Sequence, residues 1–310
     1  MKKNLFLLII AGLSAYSAQA QQDALYTHYM YNTLAINPGY AGSRDALTMT
    51  ALGRFQWVGF EGAPMTQTFT AHAPVAWESL GLGLSVVNDK IGPTTTTSMY
   101  VDVAYRMKIT KNSRLAFGLK GGMNNFTAGL QQITLQDQND ATFAQGVRSS
   151  MMPNVGFGMY YQSPKFYAGV SVPKIVENNF YGQKGNTTVN IGSEKRHYFF
   201  IAGAVFQLSP QLKFKPTLLT KVATAAPIQM DLTANFIIND LVTLGAMYRT
   251  GDAFGILAGV NVNEQLMVSY SFDWSTVNST GRYNAGSHEL MLRYDLIFNK
   301  EKRIKSPRYF

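Results

Sequence analysis

The chain has 310 residues, 46% hydrophobic side chains, no cysteine and a net charge of +9. The lack of cysteine excludes a disulfide framework and a lipid-modified cysteine anchor. After residue 20 there is no apolar run long enough for a membrane-spanning helix. Much of the positive charge lies near the end of the chain and the rest of the chain is nearly balanced, so we predict no nucleic-acid partner.

Residues 1–20 are predicted to be a cleaved signal peptide. Lys2 and Lys3 precede an apolar stretch from Leu5 to Leu13, and Ala18 to Ala20 supplies the small residues of a cleavage site. The apolar stretch is too short to cross a membrane as a helix. The mature chain is therefore expected to begin near Gln21, outside the cytoplasm.

Residues 21–45 do not alternate like a spanning strand, although they are rich in tyrosine. The sequence Asn37-Pro38-Gly39 interrupts them. Such an apolar segment should not remain in water. It could enter a barrel as a plug or pack against its periplasmic rim. We interpret it as a short periplasmic segment, a helix or turn packed at the mouth.

Residues 46–298 have the pattern of a transmembrane antiparallel β-barrel. In residues 266–275, bulky apolar side chains alternate with mostly polar ones, and ten residues suffice for a tilted strand to cross a bilayer. An even number of strands is expected when both ends of the barrel lie on the periplasmic side. Fourteen such strands are predicted, at 46–55, 65–75, 80–88, 97–109, 114–123, 152–162, 165–173, 196–207, 211–220, 227–237, 241–250, 253–262, 265–275 and 287–298.

The lengths of the connections support this fold. Every second connection is a brief polar turn, whereas the longest segments, 124–151, 174–195 and 276–286, all belong to the other set. Short turns on one side and long loops on the other are typical of outer-membrane barrels, and a soluble β-sandwich gives no reason for such sorting. The sequence therefore predicts an all-β protein in the outer membrane of a Gram-negative bacterium.

The fourth strand indicates which face meets lipid. Val101, Val103 and Tyr105 point one way, and Asp102 and Arg106 point the other. A charge facing lipid at the midplane would cost about 2–4 kcal/mol, so the charged row should face the lumen. If the lumen is open, these charges, with Lys108, would line a channel. A passive diffusion channel is therefore an alternative function.

Residues 299–310 form a predicted basic periplasmic tail. They follow the last strand and are too short, with Pro307, to add another strand. Arg308, Tyr309 and Phe310 end the tail. Either they contact a partner, or the end is disordered. Five residues from 300 to 308 are basic and one is acidic: Lys300, Lys302, Arg303, Lys305 and Arg308, against Glu301.

Two short motifs are candidates for partner binding. Arg54 and Trp57 end the first strand on the extracellular side, and His288 and Glu289 begin the last strand on that side. Because the first and last strands meet at the barrel seam, these motifs are predicted to form one polar cluster. Alternatively, Trp57 belongs to the interfacial aromatic girdle and Arg54 is a salt-bridge partner.

The sequence contains no residue spacing typical of a metal, cofactor or catalytic site. The four histidines have no metal-ligand spacing, so we predict neither a metal nor another cofactor. His288 and Glu289 are neighbours on a strand and therefore point to opposite faces. We expect no enzymatic activity, although an outer-membrane lipase with serine and histidine on neighbouring strands remains an alternative.

The motifs together resemble the PorP/SprF family of the type IX secretion system, over the whole mature chain. The resemblance is carried by these stretches: Gln22–Tyr31 (QDALYTHYMY), Ile36–Gly42 (INPGYAG), Arg54–Gly59 (RFQWVG), Arg196–Phe199 (RHYF), Tyr270–Asp273 (YSFD), Gly286–Leu290 (GSHEL) and Pro307–Phe310 (PRYF).

The resemblance implies an outer-membrane barrel that works with a secreted or surface-exposed cargo protein, often a giant adhesin. It implies a role in secreting that protein or anchoring it at the cell surface, with links to gliding motility in some bacteria. It also implies binding of the cargo's C-terminal domain and of periplasmic, peptidoglycan-associated components.

Overall fold

The computed structural model describes residues 24–75, 79–129, 147–184, 187–224, 226–276 and 284–297. The predicted signal peptide and the predicted tail at 299–310 lie outside these residues. The described chain has two 3₁₀ turns, Thr33–Ala35 and Pro38–Tyr40. Its strands are β1 Leu47–Phe55, β2 Met65–Val75, β3 Leu80–Ile91, β4 Thr94–Lys108, β5 Arg114–Ala128, β6 Val147–Gln162, β7 Phe166–Val172, β8 Asn179–Lys184, β9 Thr187–Ser193, β10 His197–Ala204, β11 Phe206–Gln207, β12 Leu212–Ala223, β13 Gln229–Ile238, β14 Val242–Arg249, β15 Ala253–Asn261, β16 Leu266–Ser275 and β17 Ser287–Leu296.

Fourteen of these strands form a closed antiparallel barrel, which confirms the predicted fold class. Neighbours along the chain pair in order, β10 links β7 to β12, and β17 closes the ring against β1. At this seam Arg54 lies opposite Glu289. The other three strands are additions: β8 and β9 form a separate hairpin, and the two-residue β11 pairs with β12. Closure leaves no unpaired edge among the fourteen described strands of the ring, as a lipid environment requires.

The long-loop hairpins reach further than predicted. β3 extends to Ile91 and β4 begins at Thr94. Gly92 and Pro93 therefore form the turn where a longer loop was expected. Gly92 has a φ of 54°, a conformation that glycine adopts without a steric penalty. The threonines from Thr94 onward are β-branched and pair with the end of β3. β5 and β6 lengthen likewise into the predicted loop at 124–151.

The outer surface is apolar and the inner surface is polar, as predicted. On β4, Val101, Val103 and Tyr105 are 44–54% exposed, whereas Asp102 and Arg106 are at most 3% exposed. Rows of exposed large side chains like this one recur on the other strands. Such a band is stable against lipid and not against water, which places the barrel in the outer membrane. Among the described residues, no helix has the length and apolar character needed to cross a membrane.

Residues 24–46, which we call the plug segment, run through the lumen. All but four of them are buried, and Tyr29, Leu34 and Tyr40 are at most 2% exposed. The expectation that this segment packs at the periplasmic mouth is therefore wrong for the described residues. The physical reason is space, because a fourteen-stranded barrel is wider than its own side chains can fill. The tyrosine-rich segment supplies the missing volume.

Glycines in the wall make room for the plug segment. A Cβ atom added to Gly81 would overlap the backbone of Ala41, and one added to Gly118 would overlap Pro38 and Gly39. Because these are contacts with backbone, a substituted side chain could not rotate away. The 3₁₀ turn Pro38–Tyr40 therefore packs against a part of the wall where glycine leaves room for its backbone.

This fit predicts a position-specific effect of adding one methyl group. Gly118→Ala should lower the free energy of unfolding by about 1–3 kcal/mol, since overpacking forces the backbone to shift. Gly121→Ala on the same strand is the matched control, because nothing lies within 4 Å of its added Cβ. Urea unfolding of both variants in lipid would measure the difference. Equal stabilities would contradict the proposed fit.

Candidate functional site

A cluster of buried polar groups fastens the start of the plug segment to the barrel wall near the long-loop end. We call Thr27, His28, Arg54, Asp273 and Glu289 the latch. The backbone N–H groups of Thr27 and His28 donate to the two carboxylate oxygens of Glu289, at 2.9 and 2.7 Å. The Nδ1 atom of His28 also lies 2.6 Å from Glu289 Oε1. The Glu289 carboxylate therefore contacts two backbone N–H groups and the ring of His28.

Arg54 binds both carboxylates of the latch. Its Nη1 atom lies 3.0 Å from Glu289 Oε2 and 2.7 Å from Asp273 Oδ2. The same nitrogen lies 2.9 Å from the hydroxyl of Thr27, which itself donates to Asp273 at 2.6 Å. All of these side chains are at most 2% exposed. A buried ion pair of this kind is strongly destabilised when one partner is removed.

A second ion pair lies beside the latch. Arg249 donates from Nε to both oxygens of Asp231, at 3.0 Å each. Its Nη1 atom is also 3.9 Å from the shared carboxylate of Asp273. Tyr29 reaches the same strand and donates its hydroxyl to the carbonyl of Asp231 at 3.1 Å.

The plug segment is also fastened further down the lumen. Lys120 pairs with Asp102 at 3.1 Å and donates to the carbonyl of Leu34 at 3.4 Å. At the short-turn end, Arg44 binds Asp295 through Nη2 at 2.9 Å and through Nε at 3.3 Å. The segment thus runs from the long-loop end at Thr27 to the short-turn end at Arg44.

The structure brings together two of the four seam residues predicted to form one cluster. Arg54 and Glu289 are in direct contact inside the lumen. His288 points to the outer face, where its Nδ1 lies 2.6 Å from the hydroxyl of Tyr270. Trp57 lies beyond the end of β1, half-buried, and its backbone N–H donates to the hydroxyl of Ser287 at 3.3 Å. Arg308, Tyr309 and Phe310 lie outside the described residues.

These positions bear on the predicted partner-binding role, which stays a prediction. Arg54 and Glu289 are buried beneath the plug segment, so a protein partner cannot touch them in this arrangement. Trp57 is at the rim, within reach of a partner. The alternative expectation for Arg54, a lumen salt-bridge partner, matches its contacts.

Sequence reasoning missed most of the latch. Thr27 and His28 lie in the segment expected at the mouth, and no local pattern links them to strands about 240–260 residues away. That Asp273 faces the lumen could be predicted, because it lies on the polar face of an alternating strand. A signal that could have found it is the row of inward acids near one end, on β13, β16 and β17.

The polar groups of the latch bind each other and the plug segment. Within the described ranges, no group of three metal-ligating side chains is placed to hold an ion. Asp102, suggested as part of an open channel, instead pairs with Lys120 beside Leu34 of the plug segment.

Comparisons with known proteins bear on the family. The family described as "Type IX secretion system membrane protein PorP/SprF" matches residues 18–294. No curated protein matches the sequence. Similar solved structures include a Pseudomonas aeruginosa FadL homologue, 10% identical, covering 81% of this chain and 89% of its own with a TM-score of 0.44. The CymD monoaromatic hydrocarbon channel is 10% identical over 80% and 86% of the chains, with a TM-score of 0.45.

Proposed function

Because the chain belongs to the PorP/SprF family of type IX secretion system membrane proteins, we propose that it binds a secreted or surface-exposed partner protein. The proposed partner is a type IX cargo such as a large adhesin, bound through its C-terminal domain. The barrel would help to secrete this cargo or anchor it at the cell surface, and in a gliding bacterium it would support motility. Periplasmic, peptidoglycan-associated components are the proposed partners on the other side.

The filled lumen is the observation that supports this proposal most. Residues 24–46 occupy the interior and are fastened at the long-loop end, in the middle and at the short-turn end. A passive diffusion channel needs an open path, whereas a scaffold for a partner protein gains rigidity from a filled interior. The proposal contains no enzymatic step.

The long-loop rim offers a surface suited to a protein partner. The loop after β1 pairs with the segment before β17, through Val58 N–H to Gly286 at 2.9 Å and Ala285 N–H to Val58 at 2.8 Å. Phe60 in this loop is 46% exposed. Aromatic side chains on a preordered loop are typical of the residues that carry binding energy at protein interfaces.

Affinity capture from native membranes in a mild detergent would test the proposal. The tagged protein should recover a large secreted protein from the same cells. Trp57→Ala should reduce this recovery about tenfold or more, as expected for a tryptophan at the centre of an interface. Trp274→Ala is the matched control, since Trp274 is 66% exposed on the outer face of β16 and faces lipid.

Two outcomes would contradict the proposal. Recovery of no secreted protein in any detergent would remove the binding role. A steady ion current from the purified protein in a planar bilayer would instead favour the passive channel, because current requires an open lumen. Equal losses in both tryptophan variants would mean that Trp57 acts as a girdle residue.

A further inference from the structure

A cavity of about 430 Å³ lies inside the barrel at the short-turn end. The turns that follow β13 and β15 form its rim, and the plug segment contributes Tyr31 and Arg44. In an outer-membrane barrel, the short-turn end faces the periplasm. This volume falls in the range of sites that hold a small molecule or a protruding group of a larger one.

Buried cations form the deep part of this cavity. Lys215 on β12 is fully buried, and Arg293 on β17 is 7% exposed. Both lie against the ring of Tyr31, with Lys215 Nζ 4.8 Å and Arg293 Cζ 5.3 Å from its centroid. Tyr31 therefore holds the two cations on one aromatic side chain.

The cavity lining contains three carboxylates, as many as it contains cations, and two of them belong to the turns at the rim. Asp295 is already bound by Arg44 and accepts a hydrogen bond from Thr48 at 2.6 Å. Asp240 lies at the rim and pairs with Lys213. Glu264 is exposed in the turn after β15. Arg44, Lys215 and Arg293 therefore line the cavity together with Asp295, whereas Asp240 and Glu264 lie in the turns after β13 and β15.

One buried donor beside the cavity has no acceptor among the described residues. The Nε atom of Arg293 is buried and makes no hydrogen bond with the described residues. Buried polar groups are nearly always hydrogen-bonded, and this unsatisfied N–H belongs to a side chain that lines the cavity, so the Arg293 guanidinium can accept a ligand there. A guanidinium presents parallel N–H groups that match the oxygens of a carboxylate or a phosphate.

We propose that this cavity is an oxyanion site, in which Arg293 and Lys215 bind a phosphate or carboxylate group that enters from the periplasm. Tyr31 forms its wall, and Arg44 adds positive charge from the plug segment. The site is independent of the proposed docking surface, because it lies at the opposite end of the barrel. Its ligand would contact both the plug segment and the wall.

Equilibrium dialysis of the full-length protein with labelled inorganic phosphate would test the site. The protein is held in a non-ionic detergent at constant ionic strength. We expect saturable binding of about one phosphate per barrel, weakened about tenfold or more in Arg293→Gln and in Lys215→Met, since each loses a buried charged donor. Lys90→Gln is the matched control, because it removes an exposed positive charge at the long-loop end.

A second arm distinguishes the two oxyanions and separates binding from folding. Labelled glutarate replaces phosphate, and saturable binding of glutarate alone would identify a carboxylate as the ligand. Thermal unfolding of each anion-free variant separates binding from folding, because a variant that keeps its fold and loses saturable binding has lost the site and not its stability. The absence of saturable binding of either anion, or an equal loss in Lys90→Gln, would overturn the proposal.

Discussion

Glu289→Ala is expected to lower the free energy of unfolding by about 3–5 kcal/mol, the effect of removing one partner from a buried ion pair. The substitution leaves Arg54 with a single carboxylate, Asp273. It also removes the acceptor of the N–H groups of Thr27 and His28, and unsatisfied buried donors add to the loss. Urea unfolding in lipid, followed by tryptophan fluorescence, would measure the change.

The control for this prediction is the neighbouring residue on the same strand. His288→Ala removes a hydrogen bond to Tyr270 on the outer face and should cost about 1 kcal/mol. A double-mutant cycle of Arg54→Ala and Glu289→Ala should give a coupling energy of about 1–3 kcal/mol. A coupling near zero would show that Arg54 and Glu289 do not act together, and the latch would then be refuted.

A cysteine placed at Ala24 should be labelled from outside intact cells. Ala24 lies in the lumen beside Lys221, Gln229 and Asp231, which belong to the long-loop ends of β12 and β13. Because long loops face the cell exterior in outer-membrane barrels, the start of the plug segment is on the surface side. The native chain has no cysteine, so the engineered one gives the whole signal.

The experiment uses a maleimide attached to a polymer too large for porins. Glu61→Cys, in the exposed loop after β1, is the positive control. Asn112→Cys, in the exposed turn between β4 and β5, should react only after the outer membrane is permeabilised. Labelling of Ala24→Cys only under the latter condition would place the start of the plug segment at the periplasmic side.

Such a path gives the plug segment contact with both sides of the membrane. Its first residues lie near the rim proposed to meet a cargo protein, and Arg44 lies by the cavity proposed to bind an oxyanion. Because the latch and the Arg44–Asp295 pair hold opposite ends of one segment, they can be weakened separately. Glu289→Ala therefore tests the end held by the latch, and Arg44→Met tests the end held by the Arg44–Asp295 pair.

The barrel wall could be predicted from the sequence because each strand carries its own evidence. Alternation on β4 shows which side of Val101 and Asp102 meets lipid, and this depends only on neighbouring residues and the cost of a charge in a bilayer. Turn residues and loop lengths then give the strand order and the side of the membrane. Some predicted strands were shorter than the observed ones, as at Thr94, because polar β-branched residues continue the strand beyond the apolar band.

The interior could be predicted only in part. That Arg54 and Glu289 meet follows from closure of the ring, because the first and last strands must pair. That Thr27 and His28 join them does not follow, since an apolar segment satisfies the same burial requirement at the rim or in the lumen.

The sequence by itself determined a closed, lipid-facing β-wall with a polar interior, because periodicity and length act locally along each strand. Only the tertiary structure decided that residues 24–46 fill that interior, that Gly118 is small to admit Pro38, and that Arg293 faces a cavity without an acceptor. Those contacts join residues far apart in the chain, and their energies depend on distances and enclosed volume that no local pattern encodes.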